Sequence, residues 1–372
     1  MKRMRSILPR ALRVGIAAAA LAMADPAGAQ PAANPCVLTA DEQAWIQGAL
    51  DDWHLVSRDF LRMEEPTVPW MVFIGPECAW HVAAKAGDGP DLAATLTPSA
   101  AALTLGTSPL DVRHVAHSGT VRLPGGGEVP VAPLSFAGPV GESGEAFFLM
   151  AMPSVWRRDP RTANEPDPET LLRAVFAHEI THTQQVAALY RRIDALEEAA
   201  GSPDDFDDDI VQSRFDTVPG FRAAYEAERD LLFRAAAESD SAQRRTLAGQ
   251  ALAAARERRA RYFTGANAIY ADIEDVFLNM EGVANWAAYR VILHHAGPGA
   301  DGAQVLRAIR RGGRKWSQDE GLALFLVFDA LLPGWQQRVL GPEPPSVFTL
   351  LAEAAGAQRA VSAEATPSAL TH

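Results

Sequence analysis

The chain has little basic charge, few cysteines and no long apolar stretch in its interior. Its formal charge is -12 at pH 7 over 372 residues. Because no basic stripe offsets this negative field, we expect no nucleic-acid partner. The longest interior apolar run, over residues 322–335, contains Asp329 and Pro333 and is too short to cross a bilayer. It therefore predicts a core helix.

The N-terminal 29 residues have the three-part layout of a secretory signal. Basic residues come first, an apolar stretch follows over residues 14–23, and Ala27-Gly28-Ala29 forms a small-x-small cleavage pattern. We therefore expect cleavage after Ala29 and a mature protein that is periplasmic or secreted, without stable membrane insertion. An uncleaved N-terminal anchor is the alternative.

The only two cysteines, Cys36 and Cys78, both lie in the predicted mature chain. An even pair in an exported protein favours a disulfide, because the compartments outside the cytoplasm oxidise thiols. Such a cross-link would stabilise the fold by up to about 4 kcal/mol in the chain-entropy model. Two buried free thiols are the alternative.

The order of patterns predicts a predominantly helical α+β fold with a small mixed or antiparallel sheet in the N-terminal half. Thr39 and Glu42 form a capping-box pattern that begins a helix. A segment rich in Ala, Arg, Glu and Leu over residues 221–265 and a further helical stretch over residues 266–295 predict long C-terminal helices. The sheet is predicted from short apolar runs punctuated by Gly and Pro, at residues 70–74, 112–115, 120–123, 129–136 and 146–152.

Four regions follow from these patterns. They are a signal peptide (residues 1–29), an N-terminal helix with a small sheet (30–160), a helical catalytic region (161–356) and a polar tail (357–372) that its composition predicts to be disordered. A second capping-box pattern, from Ser317 to Glu320, predicts the start of the helix over residues 322–332.

The strongest chemical signal is the sequence AHEITH at residues 177–182, an HExxH pattern in a helical segment. Asp167 is its predicted N-cap, with Pro168 at the first helical position. His178 and His182 lie one turn apart and project side by side, so they can share one metal ion. Glu179 is turned by roughly 100° from His178 and can act as general base toward a metal-bound water.

Apolar residues recur at helical spacings along this segment, which is predicted to end near Gly201. Because His178 and His182 fall on the same stripe, we expect both histidines to face the interior. Buried histidines must be hydrogen-bonded or must ligate something. The stripe consists of Leu171, Val175, Val186, Leu189, Ile193 and Leu196.

HExxH resembles the motif of the zincin metallopeptidases. The later segment Glu281-Gly282-Val283-Ala284 resembles the context of the glutamate that gluzincins supply from a downstream helix. This resemblance implies a Zn²⁺ ion held by His178, His182 and Glu281, with Asn285 orienting a metal-bound histidine. It covers at most residues 167–296. Glu274, about two turns before Glu281, is the alternative third ligand.

The resemblance further implies a zinc-dependent hydrolase acting on a peptide or protein substrate. Glu179 would take a proton from a zinc-activated water and pass it to the leaving amine. The strand over residues 146–152 is expected to line the cleft. Two other classes stay open, a binding or scaffold protein without turnover and a zinc hydrolase of non-peptide amides or esters. Candidates for a second electrophile are Tyr289, Arg290, His294 and His295.

Overall fold

The computed structural model describes residues 36–84, 95–124, 126–140, 145–165, 167–201, 206–310 and 312–356. The predicted signal peptide, its cut after Ala29 and the predicted tail over residues 357–372 lie outside the described residues. The chain divides into two compact units. The first comprises residues up to Phe60 and Glu64–Val186, and the second comprises Leu61–Met63 and the chain from Ala187 onward.

All described strands lie in the first unit, and they confirm a small mixed sheet in the N-terminal half. In chain order they are β1 (Trp70–Ile74), β2 (Cys78–Ala83), β3 (Thr97–Pro98), β4 (Leu103–Leu105), β5 (Ser108–Ala116), β6 (Thr120–Arg122), β7 (Glu128–Pro130), β8 (Ser135–Val140) and β9 (Glu145–Ala151).

Within the described residues, the main sheet has the order β3-β5-β2-β1-β9-β8, with β4 also paired to β5, while β6 and β7 form a separate pair. β1 runs parallel to β9, and the other pairs are antiparallel. Every residue of β1 is buried, as expected for a central strand covered on both faces. β2, in which every residue is also buried, is not among the strands predicted from the sequence.

The helices of the first unit are α1 (Ala40–Leu55), α2 (Pro153–Trp156), α3 (Pro160–Ala163) and α4 (Pro168–Thr183). α1 begins with the predicted capping box, in which Thr39 and Glu42 each accept a hydrogen bond from the other's backbone amide. A π-helical turn, Val56–Phe60, follows α1. Arg173 on α4 reaches Asp52 on α1 at 3.2 Å, so an ion pair joins the two helices.

The disulfide between Cys36 and Cys78 is confirmed, with a Cα–Cα distance of 5.8 Å. It joins the segment before α1 to the first residue of β2. A cross-link at this place is consistent with an oxidising, exported location. Among the described residues, every helix is too short or too polar to span a bilayer.

The second unit consists of helices, as predicted for the C-terminal half. They are α5 (Arg191–Ala199), α6 (Ile210–Phe215), α7 (Phe221–Ala237), α8 (Ser241–Tyr262), α9 (Tyr270–Ala296), α10 (Gly302–Arg310), α11 (Trp316–Leu331), α12 (Trp335–Val339) and α13 (Val347–Ala354), with a 3-10 turn at Gly265–Asn267.

The predicted capping box at Ser317 is wrong. α11 begins at Trp316, after Lys315, so Ser317 lies inside the first turn. The two acidic residues of the pattern face inward: Asp319 is held by Arg310 at 2.7 Å, and Glu320 is 1 % exposed. Side chains committed to the interior are not available to reach back to the helix start.

Because of the buried His81 on β2, we expect the stability of the first unit to fall in acid. Its Nδ1 accepts a hydrogen bond from the Trp70 indole at 2.9 Å, and burial lowers its pKa from 6.5 to about 4. The unfolded chain therefore binds the proton first as the pH falls from 6.5 to about 4. Stability contributed by neutral His81 is lost across that window, and the loss approaches about 3 kcal/mol at its lower end.

Denaturant unfolding at a series of pH values measures this loss. The variant His81→Gln cannot titrate, so its free energy of unfolding should fall less steeply over the same window. His54 is exposed on α1, so His54→Gln serves as the matched control. Its free energy of unfolding should fall with decreasing pH as steeply as that of the wild type. An unchanged slope in His81→Gln would contradict the prediction.

Candidate metal centre

α4, the helix that carries HExxH, begins as the sequence predicts. The Asp167 carboxylate accepts a hydrogen bond from the Thr170 amide at 3.1 Å, and Pro168 occupies the first helical position. Phe176 contacts the rings of Phe73 on β1 and Phe148 on β9, with centroid distances of 6.3 and 5.1 Å. These aromatic contacts, each worth about 0.5–1.5 kcal/mol beyond burial, fix α4 on the sheet.

The buried face of α4 differs from the predicted one. Leu172, Phe176 and Ile180 are at most 1 % exposed, whereas Leu171 and Val175 are only partly buried. The prediction extended one helical phase from residue 171 to residue 196. In the structure, α4 ends at Thr183 and a π-helical turn, Val186–Tyr190, precedes α5, so one regular helical phase does not continue through this segment.

The position of the buried face on α4 decides how far the residues of the motif are exposed to solvent. His182 is buried at 6 % exposure, as predicted, but His178 and Glu179 are only partly buried. The expectation that both histidines face the interior is therefore wrong for His178. A partly exposed imidazole beside a partly exposed carboxylate can be reached by a ligand from solvent.

The structure brings His178, Glu179 and His182 together. The two Nε2 atoms are 3.1 Å apart, and the rings meet edge to face with centroids 4.7 Å apart. One donor atom from each of the three side chains lies within 4.8 Å of the others. Within the described ranges, this is the group of three donor side chains close enough to share a metal ion.

Neighbouring side chains hold two members of the group in place. His182 Nδ1 lies 2.9 Å from the amide oxygen of Gln185. Because an amide oxygen can only accept, this contact is a hydrogen bond in the tautomer that carries its proton on Nδ1, and in that tautomer the lone pair of the neutral ring is on Nε2. The Ser135 hydroxyl, at the start of β8, donates a hydrogen bond to Glu179 Oε1 at 3.1 Å.

The donor set fits a divalent transition metal. Two nitrogen ligands 2.0–2.1 Å from a tetrahedral zinc ion lie roughly 3.3 Å apart, close to the observed 3.1 Å. Zinc and several other first-row transition-metal ions bind to imidazole nitrogens combined with a carboxylate oxygen. A metal-free alternative is a hydrogen bond between the two rings, which requires a proton on Nε2 of His178.

The structure places the predicted third ligand, Glu281, on α9 in the second unit, where it is 1 % exposed. Its role as a metal ligand stays a prediction, and so does the supporting role of Asn285. The alternative ligand, Glu274, is already engaged. Its Oε1 accepts from Arg258 at 2.6 Å and its Oε2 from Arg259 at 3.0 Å. A carboxylate with both oxygens held by guanidinium groups is a poor candidate for a metal ligand.

The predicted second electrophiles are all on α9. Arg290 is paired with Asp329 at 3.4 Å and lies over the Trp286 ring. Burial raises the pKa of Tyr289, which keeps its phenol protonated. His294 and His295 are exposed near the end of the helix. None of the four is singled out by these contacts as an oxyanion donor.

The strand over residues 146–152 is predicted to line the cleft, and that role stays a prediction. β9, which contains residues 146–151, lies between β1 and β8, and β8 is an outer strand of the described sheet. β8 also supplies Ser135 to Glu179. Sequence reasoning missed both Ser135 and Gln185. Gln185 could have been found from its spacing of three residues after His182, whereas Ser135 could not.

No protein-family model, curated protein or solved structure matches this chain.

Proposed function

We propose that this protein is an exported zinc-dependent hydrolase that cleaves peptide bonds, with Glu179 as its general base. The observation that carries the proposal is the pair of imidazole Nε2 atoms 3.1 Å apart on α4, with the Glu179 carboxylate in the same group. The disulfide between Cys36 and Cys78 supports export.

The residues of the chain have distinct roles in this proposal. His178 and His182 hold the metal, and Glu281 stays the predicted third ligand. When bound, zinc acts as a Lewis acid and lowers the pKa of water. Glu179 accepts the proton and delivers it to the leaving amine. Ser135 keeps the Glu179 carboxylate in position through its hydrogen bond. The partial exposure of His178 and Glu179 lets a substrate reach them.

Metal content and hydrolysis of a broad peptide library, measured on the mature protein, test this function. We expect one zinc ion per chain and detectable cleavage in the wild type. In Glu179→Gln, zinc should remain bound, and kcat should fall by roughly 10²–10⁴-fold because the general base is lost. Glu169→Gln on the same helix is the matched control, since Glu169 pairs with Arg157 on the surface.

Three outcomes would count against the proposal. A protein that purifies without metal and ignores added zinc has no metal centre. Equal activity in wild type and Glu179→Gln means that Glu179 is not the base. Bound zinc without cleavage of peptides favours a binding protein, or a hydrolase of other amides or esters if those are cleaved. Glu281→Ala is a further variant to test. It is expected to bind zinc more weakly if Glu281 is the third ligand.

A further inference from the structure

Gln185 makes two contacts with His182, although it lies beyond the end of α4. Its backbone amide donates to the His182 carbonyl at 2.9 Å, and its side-chain oxygen lies 2.9 Å from His182 Nδ1. Gln185 is 1 % exposed. The turn that closes the helix therefore holds the amide of Gln185 against the imidazole.

The orientation of this amide decides which ring nitrogen can bind a metal. With the oxygen facing Nδ1, the proton of the neutral ring is on Nδ1 and Nε2 offers its lone pair toward His178 Nε2. The opposite tautomer would put a proton on Nε2 and block coordination there. Partners of this kind set both the tautomer and the ring orientation of metal-binding histidines.

We propose that Gln185 is a positioning residue that prepares His182 for metal binding by fixing its tautomer and orientation. This inference rests on the proposed metal centre. It adds a residue outside HExxH to the site and assigns it a function that the motif does not contain.

The adjacent Gln184 provides a matched control. Its side chain is directed at Thr67, accepting from the Thr67 amide at 3.0 Å and donating to the Thr67 carbonyl at 2.9 Å. Gln184→Ala therefore removes hydrogen bonds from the same turn without removing the partner of the imidazole. Gln185→Glu is the conservative variant, because a carboxylate oxygen can accept from Nδ1 in the same way.

Zinc affinity of the metal-free protein, measured by competition with a chelator, tests the inference. We expect the dissociation constant to rise by about 10–100-fold in Gln185→Ala. It should stay close to the wild-type value in Gln184→Ala and be restored in Gln185→Glu. Imidazole nitrogen NMR of the metal-free protein gives a second readout: the Nδ1-protonated form of His182 should dominate in the wild type, and Gln185→Ala should lose that preference.

The outcomes separate this inference from the proposed function. A wild type that binds no zinc overturns the metal centre itself. A wild type that binds zinc, with Gln185→Ala binding equally well, overturns only the role of Gln185. Equal weakening in Gln184→Ala and Gln185→Ala, without restoration in Gln185→Glu, would reduce the effect to loss of structure in the turn and would also overturn it.

Discussion

Replacing Arg258 by methionine is expected to lower the free energy of unfolding of the second unit by about 3–5 kcal/mol. Arg258 lies on α8 and its side chain is fully buried. Its Nε donates to Glu228 at 2.8 Å and its Nη1 to Glu274 at 2.6 Å, while Nη2 lies 4.0 Å from Glu320. Methionine matches much of the volume of the arginine stem but leaves these three carboxylates without their common cation.

The charges around Arg258 explain why the loss should be large. Burial lowers the pKa of Arg258, but the carboxylates of Glu228, Glu274 and Glu320 raise it by more, so the guanidinium stays charged. Burial also raises the pKa of Glu320 well above its ordinary value, and the neighbouring Glu228 raises it further. Removing one partner of a buried ionic group leaves uncompensated charge in the interior, which is more costly than losing the whole group.

Denaturant unfolding of Arg258→Met beside Arg256→Met measures the effect, since Arg256 is exposed on the same helix. The control should stay within about 0.5 kcal/mol of wild type. Adding Glu228→Gln to Arg258→Met should recover much of the loss, because the interior then holds one negative charge fewer. A loss in Arg258→Met no larger than that of the control would show that the buried ion pairs contribute little.

The sequence predicted those features that depend on residues close together in the chain. The capping box at Thr39, the N-cap at Asp167 and the side-by-side placement of His178 and His182 each follow from the geometry of one helical turn. The disulfide between Cys36 and Cys78 was predictable because only two cysteines are present and export oxidises them.

Features that depend on packing between distant segments were not predictable. The neighbouring sequence does not distinguish a glutamate that caps a helix from Glu320, whose side chain belongs to a buried cluster of charged groups. The contact between Ser135 and Glu179 requires β8 to be the outer strand beside α4. No short stretch of sequence determines the order of the strands in a sheet. The interruption after Thr183 likewise ends the regular helical phase from which the buried face of α4 was predicted.

The second large effect is expected at Gly282, where α9 crosses α11. A Cβ at Gly282 would lie 2.4 Å from Phe325 Cδ2 and 2.8 Å from the carbonyl oxygen of Gly321, both on α11. Protein interiors are close-packed, and α11 can accommodate a side chain here only by moving away. Gly282→Val should therefore destabilise the second unit by about 3 kcal/mol, measured by denaturant unfolding.

Gly249→Val on α8 is the matched control, because a Cβ there meets only the Ala355 side chain, at 3.8 Å. Its effect should be within about 0.5 kcal/mol, as helix propensity differs little between glycine and valine. Equal stability of the two variants would contradict a tight crossing at Gly282.

If the crossing is confirmed, packing alone accounts for the glycine after Glu281. The resemblance to gluzincins then depends on the glutamate itself, and zinc binding by Glu281→Ala is its decisive test.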